Sequence, residues 1–196
     1  VYADAVLVDG PMKFKPIAAS AYQQTTSDPL VLNTKPWVIP EGYVQRIISD
    51  ESDLDIYPNS GDWTDMNTVN ETGKRAGRYM YRTHEVRPGT DPFLGGAISI
   101  VDLKTGEAEV LAQRADWEAL DGLVWTPWQT LLFAEETITA QLPDPDVPAA
   151  QSGLLYELKF ANNDPTKVEE IKVRPKLGSL SHEGIEIDDE GNVYVI

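Results

Sequence analysis

Short stretches rich in β-branched and aromatic residues recur along this chain, and polar, glycine-containing stretches separate them. They predict strands at 43–50, 77–86, 96–112, 128–136, 153–160, 168–175 and 184–196. Two of the separating stretches, "DLKTGE" at 102–107 and "DDEGN" at 188–192, place a glycine where a hairpin turn needs a left-handed residue. Helical periodicity is nearly absent, and the best candidate for a helical turn is "RADWEALDGL" at 114–123. The sequence therefore predicts an all-β fold.

The spacing of these strands narrows the architecture. Strands and hairpins that recur at roughly forty residues suit a β-propeller or a β-sandwich, and the period favours the propeller. At ~40–50 residues per blade the chain would contain about four blades. The alternating pattern of "NVYVI" continues to the last residue, 196. We therefore expect one propeller domain over 1–196, incomplete at its C-terminus, with the remaining blades on a missing C-terminal part or on another chain.

The charge of the chain restricts its partners. It has 32 acidic and 16 basic residues, a formal net charge of −16, and no clustered basic patch. Such a surface repels nucleic-acid backbones and anionic lipids, so we expect no nucleic-acid partner. No apolar run is long enough for a transmembrane helix, and we expect no membrane partner. An anionic substrate would need a bound cation to reverse the local field.

Both histidines of the chain stand directly before a glutamate, as His84-Glu85 and His182-Glu183. Neighbouring side chains of a strand point to opposite faces, so only one member of each pair faces a given interior. If both glutamates face inward from different blades, they meet at the central axis. Glu135 and Glu136, at the end of "TLLFAEE", are further candidates. The alternative is that each is an ordinary exposed residue at the end of a strand.

Carboxylates that meet without a counter-ion repel one another, and a hard cation relieves this repulsion. Calcium takes six to eight oxygen ligands, and a chain without cysteine offers oxygen rather than thiolate ligands. The polar segment 50–73 is either a solvated loop or a further source of oxygen ligands, and 141–152 is interpreted as a Pro/Asp spacer. Trp125 and Trp128 are expected in the core rather than at a substrate surface.

No motif in the sequence supports another familiar chemistry. The chain has no G-x-S-x-G nucleophile elbow, no phosphate-binding G-x-x-x-x-G-K-[ST] loop and no H-E-x-x-H zinc motif. The loop "DDEGNVYVI" also lacks the glycine that an EF-hand requires at its sixth position. A hard-cation site of carboxylates is the chemistry that the remaining residues favour.

The order of four segments resembles the PhoX-type alkaline phosphatases and their relatives. These segments are "GRYMYRTHE", "GGAISIVDLKTGE", "LDGLVWTPWQTLLFAEE" and "LGSLSHEGIEIDDEGNVYVI", and "VIPEGYVQRIIS" extends the similarity towards the N-terminus. The resemblance implies a six-bladed propeller, secreted or periplasmic, that hydrolyses phosphate monoesters and sometimes diesters at a cluster of calcium and iron. Small phosphate esters are then the expected substrates.

The resemblance also assigns candidate metal ligands. By motif they are Glu85, Glu135, Glu136 and Glu183. Iron-dependent members of the family carry a cysteine where this chain has "DGLV", which places Asp121 near the cysteine's position and argues against the usual Fe³⁺ centre. Gln129 stands where the family commonly has glycine. The sequence thus predicts a calcium-dependent phosphoric ester hydrolase, with a non-catalytic calcium-binding propeller as the alternative.

Overall fold

The structure, a computed structural model, describes residues 46–49, 53–54, 56–57, 63–86, 95–138, 142–150 and 152–196. The chain divides into two compact units, 1–47 and 48–196. Only residues 46 and 47 of the first unit are described, and both are exposed. Most of the predicted strand 43–50 lies outside the described residues, and its described part, 46–49, has no regular secondary structure. The single domain over 1–196 stays a prediction.

The second unit is all-β in its described part, which confirms the predicted fold class. The first sheet contains β1 (Trp63–Val69), β2 (Tyr79–Glu85), β3 (Ala97–Asp102) and β4 (Ala108–Gln113). The second contains β5 (Leu120–Trp125), β6 (Leu131–Glu135), β7 (Leu155–Phe160) and β8 (Val168–Val173). The third pairs β9 (Ile185–Ile187) with β10 (Val193–Val195). All pairings are antiparallel, and the described residues include short 3₁₀ turns but no α-helix.

Two strands were not predicted from the sequence. β1 lies inside the polar segment 50–73, and β5 lies partly inside the helical candidate 114–123, which instead forms a turn at 115–116 and then a strand. The helix prediction is wrong because burial of Leu120, Leu123 and Trp125 against the neighbouring sheet outweighs local helix propensity. The strands that begin the three sheets start about 60 residues apart, which is longer than the ~40–50 residues assumed for one blade.

The second sheet is buried on both faces. Leu131 and Phe133 of β6 belong to the large core between the first and second sheets. Leu132 and Ala134, the alternate residues of the same strand, pack with Ile185 of the third sheet. This two-residue alternation explains why β6 is a continuous apolar run rather than a polar-apolar one. The three sheets therefore stack in chain order, face against face.

Aromatic rings fill the core between the first two sheets. Trp117 meets Phe133 edge-on at 5.0 Å between ring centroids, and Trp125 stacks on Tyr81 at 5.8 Å. Such pairs contribute about 0.5–1.5 kcal/mol each beyond their buried area. Trp125 is thus in the core as expected. Trp128 is not, because it is 47% exposed.

Both predicted hairpin turns are present. Gly106, in the β3–β4 turn, has a φ of 81°, and Gly191, in the β9–β10 turn, has a φ of 84°. An aspartate begins each turn, and its carboxylate accepts hydrogen bonds from backbone N–H groups further on: Asp102 from Lys104, and Asp188 from Glu190 and Asn192. Because these interactions are local, such turns can be predicted from the sequence.

The Pro/Asp stretch at 141–152 is more than a spacer. Its Asp144 is buried, and the carboxylate accepts hydrogen bonds from the Tyr156 hydroxyl at 3.0 Å and from the backbone N–H of Asp146 and Val147. It also pairs with Arg114 at 3.2 Å. The described part of this stretch is therefore anchored to the second sheet, a role that its proline content did not indicate.

Glu157, on β7, is held by three side chains. Its carboxylate accepts hydrogen bonds from Trp128 Nε1 at 2.8 Å, from Thr130 Oγ1 at 2.9 Å and from the guanidinium of Arg174. Burial alone would raise the pKa of Glu157, but these bonds and the charge of Arg174 outweigh it and lower the pKa below its ordinary 4.5. The ionised form is therefore stabilised by folding.

Replacing Glu157 by glutamine is expected to lower the free energy of unfolding by about 1 kcal/mol at neutral pH, because a charge-assisted hydrogen bond is lost. The folded-state pKa is lowered, so the wild-type advantage is complete above 4.5 and disappears as the pH falls through the lowered pKa. Urea unfolding across this pH range measures it. Glu170→Gln, which breaks an exposed pair with Lys172, is the control and should change stability far less. Equal stability of Glu157→Gln and wild type at pH 7 would contradict the assignment.

Candidate functional site

The first strand of the first sheet contains a β-bulge with an acidic residue. The pairing of β1 with β2 shifts register between Thr64 and Asn67. Asp65 and Met66 consequently lie opposite a single residue, Thr83. A bulge of this kind bends the strand and re-aims its side chains, and such bulges are frequent beside functional sites.

The first strand of the second sheet has the same feature. The pairing of β5 with β6 shifts between Leu120 and Leu123, so that Asp121 and Gly122 lie opposite Ala134. Leu120 and Leu123 both join the same core although they are three residues apart, because the extra residue restores their common orientation. Thr83 joins the two bulges, since its hydroxyl donates a 2.7 Å hydrogen bond to the Asp121 carbonyl.

The carboxylate of Asp121 is buried among other carboxylates. The residue is 5% exposed, and its Oδ1 has no hydrogen-bond partner. The pKa of Asp121 is raised to about 8, most strongly by burial and further by the charge and hydrogen bond of Asp65 and by the charges of Glu136 and Glu85. Three other carboxyl groups, those of Asp65, Glu85 and Glu136, therefore lie within electrostatic range of Asp121.

Glu85 and Glu136 occupy matching positions in the two sheets. Glu85 pairs with Trp63, just before the bulge of β1. Glu136 donates its backbone N–H to the Ala119 carbonyl at 2.8 Å, just before the bulge of β5. Both glutamates are half-buried. Glu85 is thus the last residue of β2 and Glu136 directly follows β6, and each lies opposite a residue that precedes a first-strand bulge.

Glu135 has a different environment from Glu136. It is 1% exposed, and its two carboxylate oxygens accept hydrogen bonds from the backbone N–H of Glu118 and of Leu154, each at 3.0 Å. Burial raises the pKa of Glu135 to about 7, against the opposing effect of these bonds. The carboxylate joins the segment before β5 to the start of β7. Both of its oxygens are thus already engaged by backbone N–H groups.

The two His-Glu dipeptides are not equivalent. His84 ends β2 next to Glu85, is buried, and shares a 2.8 Å hydrogen bond with the Ser99 hydroxyl. His182 precedes β9, is fully buried, and has no hydrogen-bond partner on either ring nitrogen. Burial lowers the pKa of His182, and a weak interaction with the backbone of Gly153, short of hydrogen-bond geometry, opposes this shift.

Glu183 lies beside the second bulge through its backbone. Its side chain is exposed, whereas its carbonyl oxygen lies 3.6 Å from the position that a Cβ atom would take on Gly122. The same Cβ would come within 3.0 Å of Ile185, so the absence of a side chain at Gly122 permits this close approach. Of the predicted ligands, the structure brings Glu85, Asp121 and Glu136 into electrostatic contact and leaves the carboxylate of Glu183 facing solvent.

Asp65 is the site residue that the sequence did not single out. It stood in the polar segment 50–73, where nothing distinguished it from other acidic residues of a loop. A useful signal was available in the strand-like pattern of "WTDMNTV", whose apolar residues flank the aspartate.

Carboxylate oxygens suit a hard divalent cation, and the cluster supplies no soft ligand. Among the residues that the structure describes, no three His, Asp or Glu side chains are arranged closely enough to enclose an ion as they stand. The cluster thus offers the charge and the donor atoms of a cation site without a finished coordination shell.

Comparison with protein-family models, with curated proteins and with solved structures finds no match for this chain. Across the described ranges, no helix has the length and apolar character needed to cross a membrane.

Proposed function

We propose that the sheets are successive blades of a β-propeller. Each of the two four-stranded sheets is an antiparallel meander whose strands follow chain order. The strands that begin the sheets are neighbours in space, since β1 packs beside β5 and β5 beside β9. In a propeller the first strands of adjacent blades line the central channel. Residues on these strands would then face one axis.

On this fold the chain is part of a calcium-dependent phosphoric ester hydrolase that resembles the PhoX-type alkaline phosphatases. The observation that carries this proposal is the buried carboxylate of Asp121, which faces acidic residues from other strands and has an unpartnered oxygen. A group of carboxylates in one another's field favours a bound cation over the ion-free state. The expected substrates are small phosphate monoesters, and the resemblance extends the proposal to a secreted or periplasmic protein.

The carboxylate oxygens of the cluster are the kind of ligand that calcium prefers. Glu85, Asp121 and Glu136 would hold the ion, and the burial of Asp121 would keep solvent from one side of it. When bound, the ion would supply positive charge to the phosphoryl oxygens. Iron of the usual kind is left out of the proposal, because the chain has no cysteine and Asp121 stands near the cysteine's position.

A local backbone feature supports the resemblance. Gln129 has a φ of 67°, in the left-handed region that glycine adopts without strain. The residue that the family commonly has at this position is glycine. The turn around it is closed by a hydrogen bond from the Gln129 N–H to the Thr126 carbonyl at 3.0 Å. The geometry of the "TPWQT" turn is therefore one that a glycine-bearing motif would adopt.

A non-catalytic calcium-binding propeller is the second candidate, and one observation favours it. The charged groups that shift the pKa of Asp121, namely Asp65, Glu136 and Glu85, are all acidic. A phosphoryl group is normally also held by cationic side chains, such as arginine or lysine. The interactions of Asp121 therefore suit a bound cation. They include no arginine or lysine that would hold a phosphoryl group.

Hydrolysis of p-nitrophenyl phosphate by the full chain, with Ca²⁺ and with chelator, tests the catalytic proposal. We expect turnover that chelator abolishes and Ca²⁺ restores. Glu136→Gln is expected to lower kcat/KM by about 100-fold or more, because a charged cation ligand is lost. Glu169→Gln is the control, because it removes the same single negative charge from an exposed position on β8. It should leave turnover unchanged. Calcium binding without turnover of mono- or diesters would favour the second candidate.

A further inference from the structure

The third sheet has a bulge at the same place as the first and second. Glu183 donates its N–H to the Ile196 carbonyl at 2.8 Å, and Ile196 donates its N–H to the Gly184 carbonyl at 3.1 Å. Two residues, Glu183 and Gly184, therefore lie opposite one. The regular pairing that follows, Ile185 with Val195, matches the pairing that follows the other two bulges.

The three bulges align residue for residue. The first regular pair after the bulge is formed by Asn67 in β1, Leu123 in β5 and Ile185 in β9. Counting back two residues gives the first bulge position, which is acidic in every sheet: Asp65, Asp121 and Glu183. In sequence the repeat is "TDMNTV", "LDGLVW" and "HEGIEI".

The same alignment distinguishes the two adjacent glutamates at the end of β6, Glu135 and Glu136. Glu136 corresponds to Glu85, since each lies opposite the residue two before the bulge. Glu135 corresponds to His84, and both are buried and engaged in hydrogen bonds. Each of the first two sheets thus has one acidic residue in its first-strand bulge and one at, or directly after, the end of its second strand.

We propose that Asp65 is a ligand of a hard divalent cation, and that it holds the ion together with Asp121 from the equivalent bulge of the next sheet. The proposal rests on the proposed metal site and is independent of any hydrolysis. It also places Glu183 at the third position of the repeat, where the backbone already approaches Gly122.

A cation accounts for this arrangement better than a hydrogen-bond network does. Asp121 is buried to 5% exposure with an unpartnered oxygen, although a buried carboxylate without a partner is costly. The charged groups that shift the pKa of Asp121 are acidic, and the side-chain hydrogen bond that contributes to the shift is with another acidic residue, Asp65, so these interactions leave the charge of Asp121 uncompensated. A divalent ion with oxygen ligands would both bind the unpartnered oxygen of Asp121 and offset the repulsion between the carboxylates.

Isothermal titration of the full chain with Ca²⁺ alone, without substrate, tests this proposal. We expect the Asp65→Asn variant to bind Ca²⁺ about tenfold or more weakly than wild type, since ligand charge sets calcium affinity. Asp65→Glu keeps a carboxylate and should retain more of the affinity than Asp65→Asn. Glu169→Gln, with the same loss of charge on an exposed strand, should bind as wild type does.

Circular dichroism of each variant verifies that it is folded, and Asp65→Ser, which also removes the carboxylate and should show the same loss of affinity, replaces Asp65→Asn if the latter does not fold. Wild-type affinity in Asp65→Asn, or equal loss in Glu169→Gln, would overturn the assignment of Asp65. No Ca²⁺ binding by the wild-type chain would overturn the site as a whole. Binding that depends on Asp65 but is not accompanied by phosphate-ester hydrolysis would leave this inference standing and remove the catalytic proposal.

Discussion

In chelator, the Asp121→Asn variant is expected to be more stable than the wild-type chain by about 2 kcal/mol, because the change removes a buried carboxylate that other carboxylates repel. With Ca²⁺ at a hundredfold excess over its Kd, the wild-type chain should gain about 2.7 kcal/mol and the variant almost nothing. The order of stability therefore reverses when calcium is added. Urea unfolding with chelator and with Ca²⁺ measures both effects.

The matched control for this prediction is Glu169→Gln, which removes one negative charge from an exposed position on β8. It should not alter the response to calcium. A variant that is destabilised equally in chelator and in Ca²⁺ would mean that Asp121 is a structural residue and that its burial has no connection with an ion.

Replacing Glu135 by alanine is expected to lower the free energy of unfolding by about 3 kcal/mol, with or without Ca²⁺. The carboxylate accepts backbone hydrogen bonds from Glu118 and Leu154 in a buried environment, and its removal leaves both N–H groups without a partner. Each unsatisfied buried group costs about 1–3 kcal/mol. Thermal and urea unfolding, each with chelator and with Ca²⁺, measure the loss.

The neighbouring Glu136→Ala variant is the natural comparison, because it removes the same atoms one residue further along. It should lose the stabilisation that Ca²⁺ gives, which Glu135→Ala should keep. If Glu135→Ala instead behaved as Glu136→Ala is expected to, Glu135 would be an ion ligand, as the motif resemblance assigned it. The two adjacent glutamates are thus predicted to have separable roles.

Local interactions made part of this fold predictable. The β3–β4 and β9–β10 hairpins depend on Gly106 and Gly191 and on the aspartates that begin each turn, all within a few residues of chain. β7 and β8 follow from alternation and β-branched content. In these elements the sequence signal and the stabilising contacts lie in the same short segment.

The strands β1 and β5 depend on contacts between sheets and were therefore missed. The residues "DWEALDG" favour a helix locally, yet Leu120 and Leu123 are buried against the first sheet. The bulges are equally non-local, because a register shift is decided by the partner strand. Asp65 could not be distinguished from a loop aspartate until its pairing with β2 was known.

Strand alternation explains only part of the arrangement of the two His-Glu dipeptides. Strand alternation predicted that one member of each pair faces the interior, and in both pairs it is the histidine that is buried. Glu85 nevertheless interacts electrostatically with Asp121, because it lies beside the bulges. His182-Glu183 occupies a different position, in front of a first strand. The repeat that relates the sheets is the acidic bulge residue, and the dipeptide is incidental to it.

The central claim is that carboxylates from equivalent bulges of successive sheets hold one divalent cation. Crystals grown with Ca²⁺, measured at a long X-ray wavelength, would locate the ion from its anomalous scattering. We expect a peak about 2.3–2.6 Å from carboxylate oxygens of both Asp65 and Asp121. The claim would be contradicted by crystals in which Asp65 and Asp121 are well resolved, their carboxylates lie apart and no anomalous peak lies between them.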